Sequence, residues 1–421
     1  MPGLLFSAYQ KFYSAISCLE RFDKEQNFFD NISCLDIFFA EYRNITFAIQ
    51  AALKHTEYFS VYESNRDKYL TDHWFVDKRN ETTKRQPFQL VKKIDITVYM
   101  PSDSISLYPL SFTVENDVSL ISLKDDIKKF FVNLSCEEVF FSTAFSFFED
   151  GTTTDLWDKL ISGIHSMQEF MESMYKEVGE DCALCNQLRD KIQISKFLMV
   201  PKDFLLINDY VYYPRQDEFE RAGRMAMLLS ADGKMVASRR SLKKFVETEY
   251  FNYDGTPFGT FVRMHTVLRV ISPGMDIMPA ILTIYGDDTY DMDVFHADIK
   301  TTVYRKITEV AYRINEEDIR QVCFMSLYSY ISDIENCPRI SKERLTIASK
   351  DLLAFMSVDQ ELNEMEYVFD GDALSDVNYI ACVMKNGRKD KLEIGRLNMS
   401  PVVQAFKEKK QEVYSPFRAN S

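Results

Sequence analysis

Glycine and proline are both scarce in this chain, 13 and 12 of 421 residues. Long flexible linkers are therefore not expected, and long uninterrupted helices are. No run of about 18 apolar residues occurs, so no transmembrane helix is expected. The first residues lack the basic-then-apolar pattern of a secretory signal. Positive charge is also in deficit: 50 Lys and Arg stand against 64 Asp and Glu, a net charge of −14. Such a chain repels a phosphate backbone at long range, which argues against a broad nucleic-acid platform and confines any anion contact to a local patch. No glycine-rich phosphate loop is present, because Gly151, Gly163 and Gly179 lie too far apart to form one, and P-loop nucleotide hydrolysis is not expected. No nucleophile elbow occurs and the five histidines are scattered, so no Ser-His-Asp or Cys-His arrangement is legible.

What the chain has is apolar and aromatic mass: 46% hydrophobic residues, with 33 Phe and 23 Tyr. That composition favours packed cores over disorder. Eight cysteines, mostly within apolar runs, act as small hydrophobes and agree with a reducing cytoplasm. The length predicts two or three domains at roughly 100–200 residues each. The expected class is α+β: an N-terminal helical bundle over 1–90, a mixed and mostly helical middle over 91–250, and a C-terminal antiparallel sheet with packed helices over 251–421.

Periodicity carries most of that division. Leu5, Tyr9, Phe12, Ile16, Leu19 and Phe22 recur at helical spacing. So do Leu35, Phe38, Phe39, Tyr42, Phe47, Ile49 and Leu53, with Ser33 as the expected N-cap. Residues 57–72 read as polar. Ile94, Thr97–Met100 and Leu107–Val114 read as a short hairpin, and 120–132 as a helix. Val139–Phe148 is apolar and aromatic, and fits helix or strand equally. The clearest helix spans 154–178, with Thr154 as its expected cap and Trp157, Leu160, Ile164, Met167, Phe170 and Met174 along one seam. That seam fits a core, or a homodimer face. Tyr210–Tyr213 reads as a strand and Glu218–Leu229 as a short helix. Phe258–Ile271, Ala280–Tyr285 and Tyr290–Phe295 read as a three-stranded meander, followed by a helix capped by Asp298. Strands are expected at 322–331, 352–358, 366–369 and 379–384, and a last helix from Ser400 with Pro401 in its first turn.

Four constellations bear on chemistry. Cys182 and Cys185 have the spacing of a metal knuckle or a redox pair, although zinc wants four ligands and a second pair is missing. Asp287, Asp288, Asp291, Asp293, His296 and Asp298 form the densest acidic group, explicable by turn, strand-face and capping roles. Arg239, Arg240, Lys243 and Lys244 form one basic patch. No cofactor or metal is assigned to any of these. The fourth constellation is a pair of dipeptides, Arg43-Asn44 and Arg79-Asn80, each within or at the end of an expected helix. A guanidinium there either satisfies nearby carbonyls and carboxylates or forks a phosphate bidentately.

Long up-and-down helices ending in Arg-Asn resemble the HEPN superfamily of helical RNA-binding and ribonuclease domains, over about the first 90 residues. The family motif is Arg, a polar residue and then a His a few positions on. Arg79 and Asn80 match its first half; Glu81 through Pro87 contain no His, and Lys84 or Arg85 stands where it would fall. The resemblance implies an RNA site built on Arg79 and Asn80, with Arg43, Asn44, Lys84 and Arg85 as anion contacts. Lys is a poor proton carrier at neutral pH, so binding is expected ahead of cleavage. The implied role is a non-catalytic RNA- or protein-binding component of bacterial type, in a stress or phage-defence setting. The alternatives are a ribonuclease that borrows His55 or His73, and an assembly subunit joined through the 154–178 helix.

Overall fold

The computed structural model describes residues 3–25, 28–101, 107–115, 125, 127–128, 137–200, 202–221, 239–248, 251, 254–272, 277–332, 336–338, 340–348, 350–371 and 398–413. The chain opens with four helices: α1 (Phe6–Leu19), α2 (Phe28–Leu53), α3 (Phe59–Tyr69) and α4 (Trp74–Lys84). Strands β1 (Leu90–Pro101), β2 (Leu107–Glu115) and β3 (Val139–Glu149) follow. Next come helices α5 (Leu156–Val178), α6 (Ala183–Gln193), α7 (Lys196–Met199) and α8 (Lys202–Leu206), then β4 (Ile207–Tyr213) and β5 (Glu218–Arg221). The remainder runs β6 (Arg240–Ser241), α9 (Leu242–Val246), α10 (Pro257–Ile271), β7 (Ala280–Tyr285), β8 (Thr289–Val294), α11 (Lys300–Glu316), β9 (Ile319–Tyr330), α12 (Ser341–Thr346), β10 (Lys350–Asp359), β11 (Glu364–Asp370) and α13 (Ser400–Val413). The fold is α+β.

Two antiparallel sheets result, one ordered β2-β1-β3-β4-β5 and the other β11-β10-β9-β7-β8-β6. Side chains of successive strand residues leave on opposite faces, so alternation decides what each face buries. In the first sheet Ile94, Ile96, Val98, Phe141, Phe145, Phe147, Tyr210 and Tyr212 join the core formed with α1, α2 and α5. Tyr99, Phe140 and Val211 leave the other face and meet Tyr304 of α11. In the second sheet Val322, Phe324, Leu352, Ala354 and Met356 pack with Val303, Ile307 and Ile314 of α11 and with Val402 and Phe406 of α13. Its opposite face places Leu282, Cys323, Met325 and Phe355 against Phe245 of α9 and Phe258 and Phe261 of α10. Helix α11 is thus shared by both sheets. The first core joins side chains on both sides of residue 90, from Leu5 to Tyr212.

Several elements differ from the sequence expectation, each for a local reason. Residues 258–271 form helix rather than strand. Thr256 accepts from Gly259 N at 3.0 Å, Pro257 fills the first turn, and Phe258, Phe261, Val262 and Thr266 share one buried face. Cap and packing override the β propensity of a Phe-, Val- and Thr-rich run. Residues 218–221 are strand, paired with β4, where a helix was expected. Ser33 lies inside α2, not at its cap. The cap of α5 is Asp155, which accepts from Trp157 N and Asp158 N, one residue after Thr154. Ile299, not Asp298, precedes α11, and Asp298 pairs instead with His296 at 3.1 Å. Phe47 is 43% exposed, and Ile45 and Thr46 take its place in the α2 core. The expected strand over 379–384, most of the expected helix over 120–132, and Cys136 and Cys382 lie outside the described residues. Among the described residues, no helix is long and apolar enough to cross a membrane.

Candidate functional site

Helix α5 is the post on which α2, α3 and α4 are mounted. Leu160, Ile164, Met167, Phe170, Met171 and Met174 are at most 1% exposed. Its apolar seam is spent on its own chain and is not a face free for a second copy. Tyr42 on α2 donates to Gly163 O at 2.8 Å. Its ring stacks on Phe75 of α4 at 4.6 Å between centroids. Phe75 fits because Gly163 has no side chain: a Cβ there would lie 2.0 Å from Phe75 Cζ. Helix α3 is held by Ser173 Oγ, which donates to Asn65 Oδ1 at 2.9 Å, and by Tyr62, whose ring meets Phe170 edge-on.

These mountings bring Arg66 of α3 and Arg79 of α4 within electrostatic reach of Arg43 of α2. Burial lowers the proton affinity of Arg43; Tyr62 opposes this, and the like charges of Arg66 and Arg79 add to it. The partners of these guanidinium groups are weak or neutral. Arg43 donates to Thr46 Oγ1 at 2.8 Å and lies 4.4 Å from the centroid of the Phe47 ring. Arg79 donates to Asn80 Oδ1 at 3.2 Å. Among the described residues, neither has a carboxylate within ion-pair distance. Arg66 forks one oxygen of its neighbour Asp67 at 2.8 and 2.9 Å, a pair with the carboxylate side chain 70% exposed. Such a surface pair holds weakly and yields to a better anion. Beside Arg43 and Arg66 sits Tyr62, 2% exposed, whose hydroxyl donates to Thr46 O at 3.4 Å. Burial raises its pKa, against the pull of Arg66 and Arg43.

Arg43 and Arg79, expected from the sequence, are thus brought together, and Asn80 orients Arg79. The other expected contacts fall elsewhere. Asn44 donates to Glu41 Oε1 at 3.4 Å, a carboxylate paired with Lys11 at 3.1 Å. Lys84 and Arg85 are exposed at the end of α4, and at 3.6 residues per turn Lys84 lies roughly 140° around the axis from Arg79. His55 and His73 are both exposed, His55 just beyond the end of α2 and His73 at the start of α4, six residues ahead of Arg79. Arg66 was missed because 57–72 reads as polar; the Tyr62–Arg66 spacing of four on a helix was the available signal.

The remaining constellations resolve differently. Arg239 of the basic patch pairs with Glu317 at 2.6 Å and lies 3.8 Å from the centroid of the Tyr285 ring. The acidic group is dispersed among partners. Asp291 and Tyr285 bond each other and Arg313, Asp293 pairs with Lys306 at 3.4 Å, and Asp288 pairs with Arg320 at 2.9 Å. A cavity of about 610 Å³ lies beside Lys24, Cys34 and Trp157, apart from the arginine cluster.

Comparison with protein-family models, curated proteins and solved structures found no match.

One group of metal-competent side chains stands out among the described residues. The ligand atoms of Glu180, Cys182 and Cys185 all lie within 4.8 Å of one another. Helix α5 stops at Gly179, whose φ of 66° is left-handed, and three residues later Cys182 caps α6. The cysteine pair therefore opens a helix, although a helix and not a strand precedes it.

Proposed function

We propose that the α2–α4 face is an anion site that binds single-stranded RNA without cleaving it, as part of a cytoplasmic RNA-binding component. One observation carries this reading: Arg43 and Arg79 converge from two helices, and among the described residues neither has a carboxylate within ion-pair distance. Cations held close against mutual repulsion are stabilised by an added anion, and a guanidinium forks phosphate oxygens in its own plane. Phe47, 43% exposed beside Arg43, supplies an apolar face at the edge of the charge, which suits a strand whose bases are unpaired.

Cleavage would need a group that removes the proton of the ribose 2′-oxygen within hydrogen-bond reach. Tyr62 is a poor base because burial holds it protonated. The resemblance to HEPN domains supports the RNA assignment and, in lacking the motif His, favours retention over hydrolysis.

The test is a filter-retention assay with labelled single-stranded RNA, followed by a denaturing gel of the same samples. Wild type is expected to retain intact RNA, and Arg79→Ala to weaken retention tenfold or more, since one charge-assisted contact is worth about 1.5–3 kcal/mol. Three phosphate contacts predict a salt slope near −2, hence roughly 20-fold weaker binding from 50 to 200 mM salt. Intact RNA with no retention removes the proposal. Cut RNA that depends on Arg79 replaces it with a nuclease.

A further inference from the structure

Cys182 and Cys185 are set unequally. Cys182 is half-buried at the cap of the eleven-residue α6. Cys185, one turn on, is 0% exposed. Both sulfurs lie within 4.8 Å of each other and of a Glu180 oxygen. That carboxylate is already engaged: Oε2 accepts from Leu5 N at 3.0 Å and Oε1 from Cys182 N at 3.1 Å. A zinc ion wants four ligands, and three are present here among the described residues, one of them already bonded to two backbone N–H groups. A pair of thiols without a metal to share has one remaining common chemistry, which is closure on itself.

We propose that Cys182 and Cys185 form a reversible disulfide by exchange with a small-molecule disulfide of the glutathione class, Cys182 attacking and Cys185 resolving. The Cys182 thiolate attacks one sulfur of RSSR, which forms a protein–S–S–R bond and releases RS⁻. That RS⁻ takes the proton of Cys185. The Cys185 sulfur then attacks Cys182 Sγ and expels the second RS⁻, which takes up the proton Cys182 had lost to solvent. Two protein thiols are oxidised to one disulfide, and RSSR is reduced to two RSH.

The surroundings match these roles. The backbone N–H of Cys185, and then that of Gly3, lower the Cys182 thiol pKa. Burial, and then the Glu180 charge, push Cys185 up to about 12. A low-pKa, reachable sulfur beside a buried partner is the arrangement in which one thiol attacks and the other waits. Cys323 makes the contrast. It too is pushed up to about 12 by burial, but it sits between strands beside Ser357.

The experiment uses the full chain, reduced, desalted and equilibrated with mixtures of oxidised and reduced glutathione, then acid-quenched and digested with trypsin. The expected product is the peptide Glu177–Arg189 lighter by two hydrogens, reverting fully in excess reduced glutathione. Cys185→Ala is expected to accumulate a glutathione adduct on Cys182 that wild type does not. Should Cys185→Ala unfold by circular dichroism, Cys182→Ser, at the half-buried position, serves instead and is expected to abolish the lighter peptide. A wild-type peptide that never loses its two hydrogens overturns the proposal. So does reduced protein that takes up one equivalent of zinc and keeps both thiols in oxidised glutathione.

Discussion

Arg79 on α4 and Arg305 on α11 carry the same guanidinium in opposite company. Arg305 is held between Asp209 of β4 and Glu309 of its own helix, at 3.4 and 2.8 Å, and Thr302 Oγ1 completes Asp209 at 2.7 Å. Burial would lower its proton affinity, and the two carboxylates outweigh this and raise it. Arg313, one face along, is likewise committed to Asp291 and Glu317, both at 2.9 Å. At the helical front, among the described residues, the hydrogen-bond partners of Arg43 and Arg79 are a hydroxyl and an amide. The difference separates cations committed to carboxylates of the fold from cations that, on the proposed reading, await an external anion. A buried ion pair is costly to break and adds little net stability, whereas Arg43 and Arg79 are placed by the packing beneath their helices rather than by ion pairs.

That contrast can be broken most forcefully at the junction. Arg305→Ala leaves Asp209, 9% exposed, without its cation, and is expected to cost about 3–5 kcal/mol in urea unfolding. Arg43→Ala should shift the same midpoint by well under 1 kcal/mol, in the range usual for partly exposed positions. Gly163→Ala comes next. Its methyl would displace Phe75, and overpacking of this kind costs about 1–3 kcal/mol. Since Phe75 carries the helix of Arg79, RNA retention should fall in the same variant although no cation is lost.

Acid sharpens the comparison. Glu317 is held low by its hydrogen bond to Arg313. A depressed carboxylate contributes stability that is present above its unfolded pKa of ~4.3 and is lost as pH falls below it. Urea midpoints should therefore drop from pH 5 toward pH 3, and Glu317→Gln should flatten that drop. A guanidinium does not titrate in this range, so RNA retention should hold until the chain unfolds. The smallest effect is expected at Lys84→Ala and Arg85→Ala, each weakening retention about twofold, as suits exposed charges outside the cluster.

Elements with a strong stripe were legible in the sequence: α1, α5, α11 and the strands β7 to β11 follow from spacing alone. Residues 258–271 were not, because their β-branched and aromatic content outvoted a cap that spans only Thr256 to Gly259. Two of the three clustered arginines were legible, since Arg43 and Arg79 announce themselves as Arg-Asn dipeptides. Arg66 did not, being hidden in a helix with almost no apolar stripe. The ionic junction was illegible throughout. Asp209 and Arg305 lie 96 positions apart, and nothing local to either predicts the other. The partners of the acidic group at 287–298 were illegible for the same reason: the cations that pair with it sit on other elements.

The shared position of α11 bears on how the chain emerges during synthesis. Tyr99, Phe140 and Val211 are covered by a helix that begins at Lys300, while the strands that carry them are complete at Arg221. At roughly 5–20 residues per second, the intervening stretch takes the ribosome about 4–16 s. For that interval the nascent sheet presents a bare aromatic face, and a message truncated before α11 would yield a product that stays sticky for good.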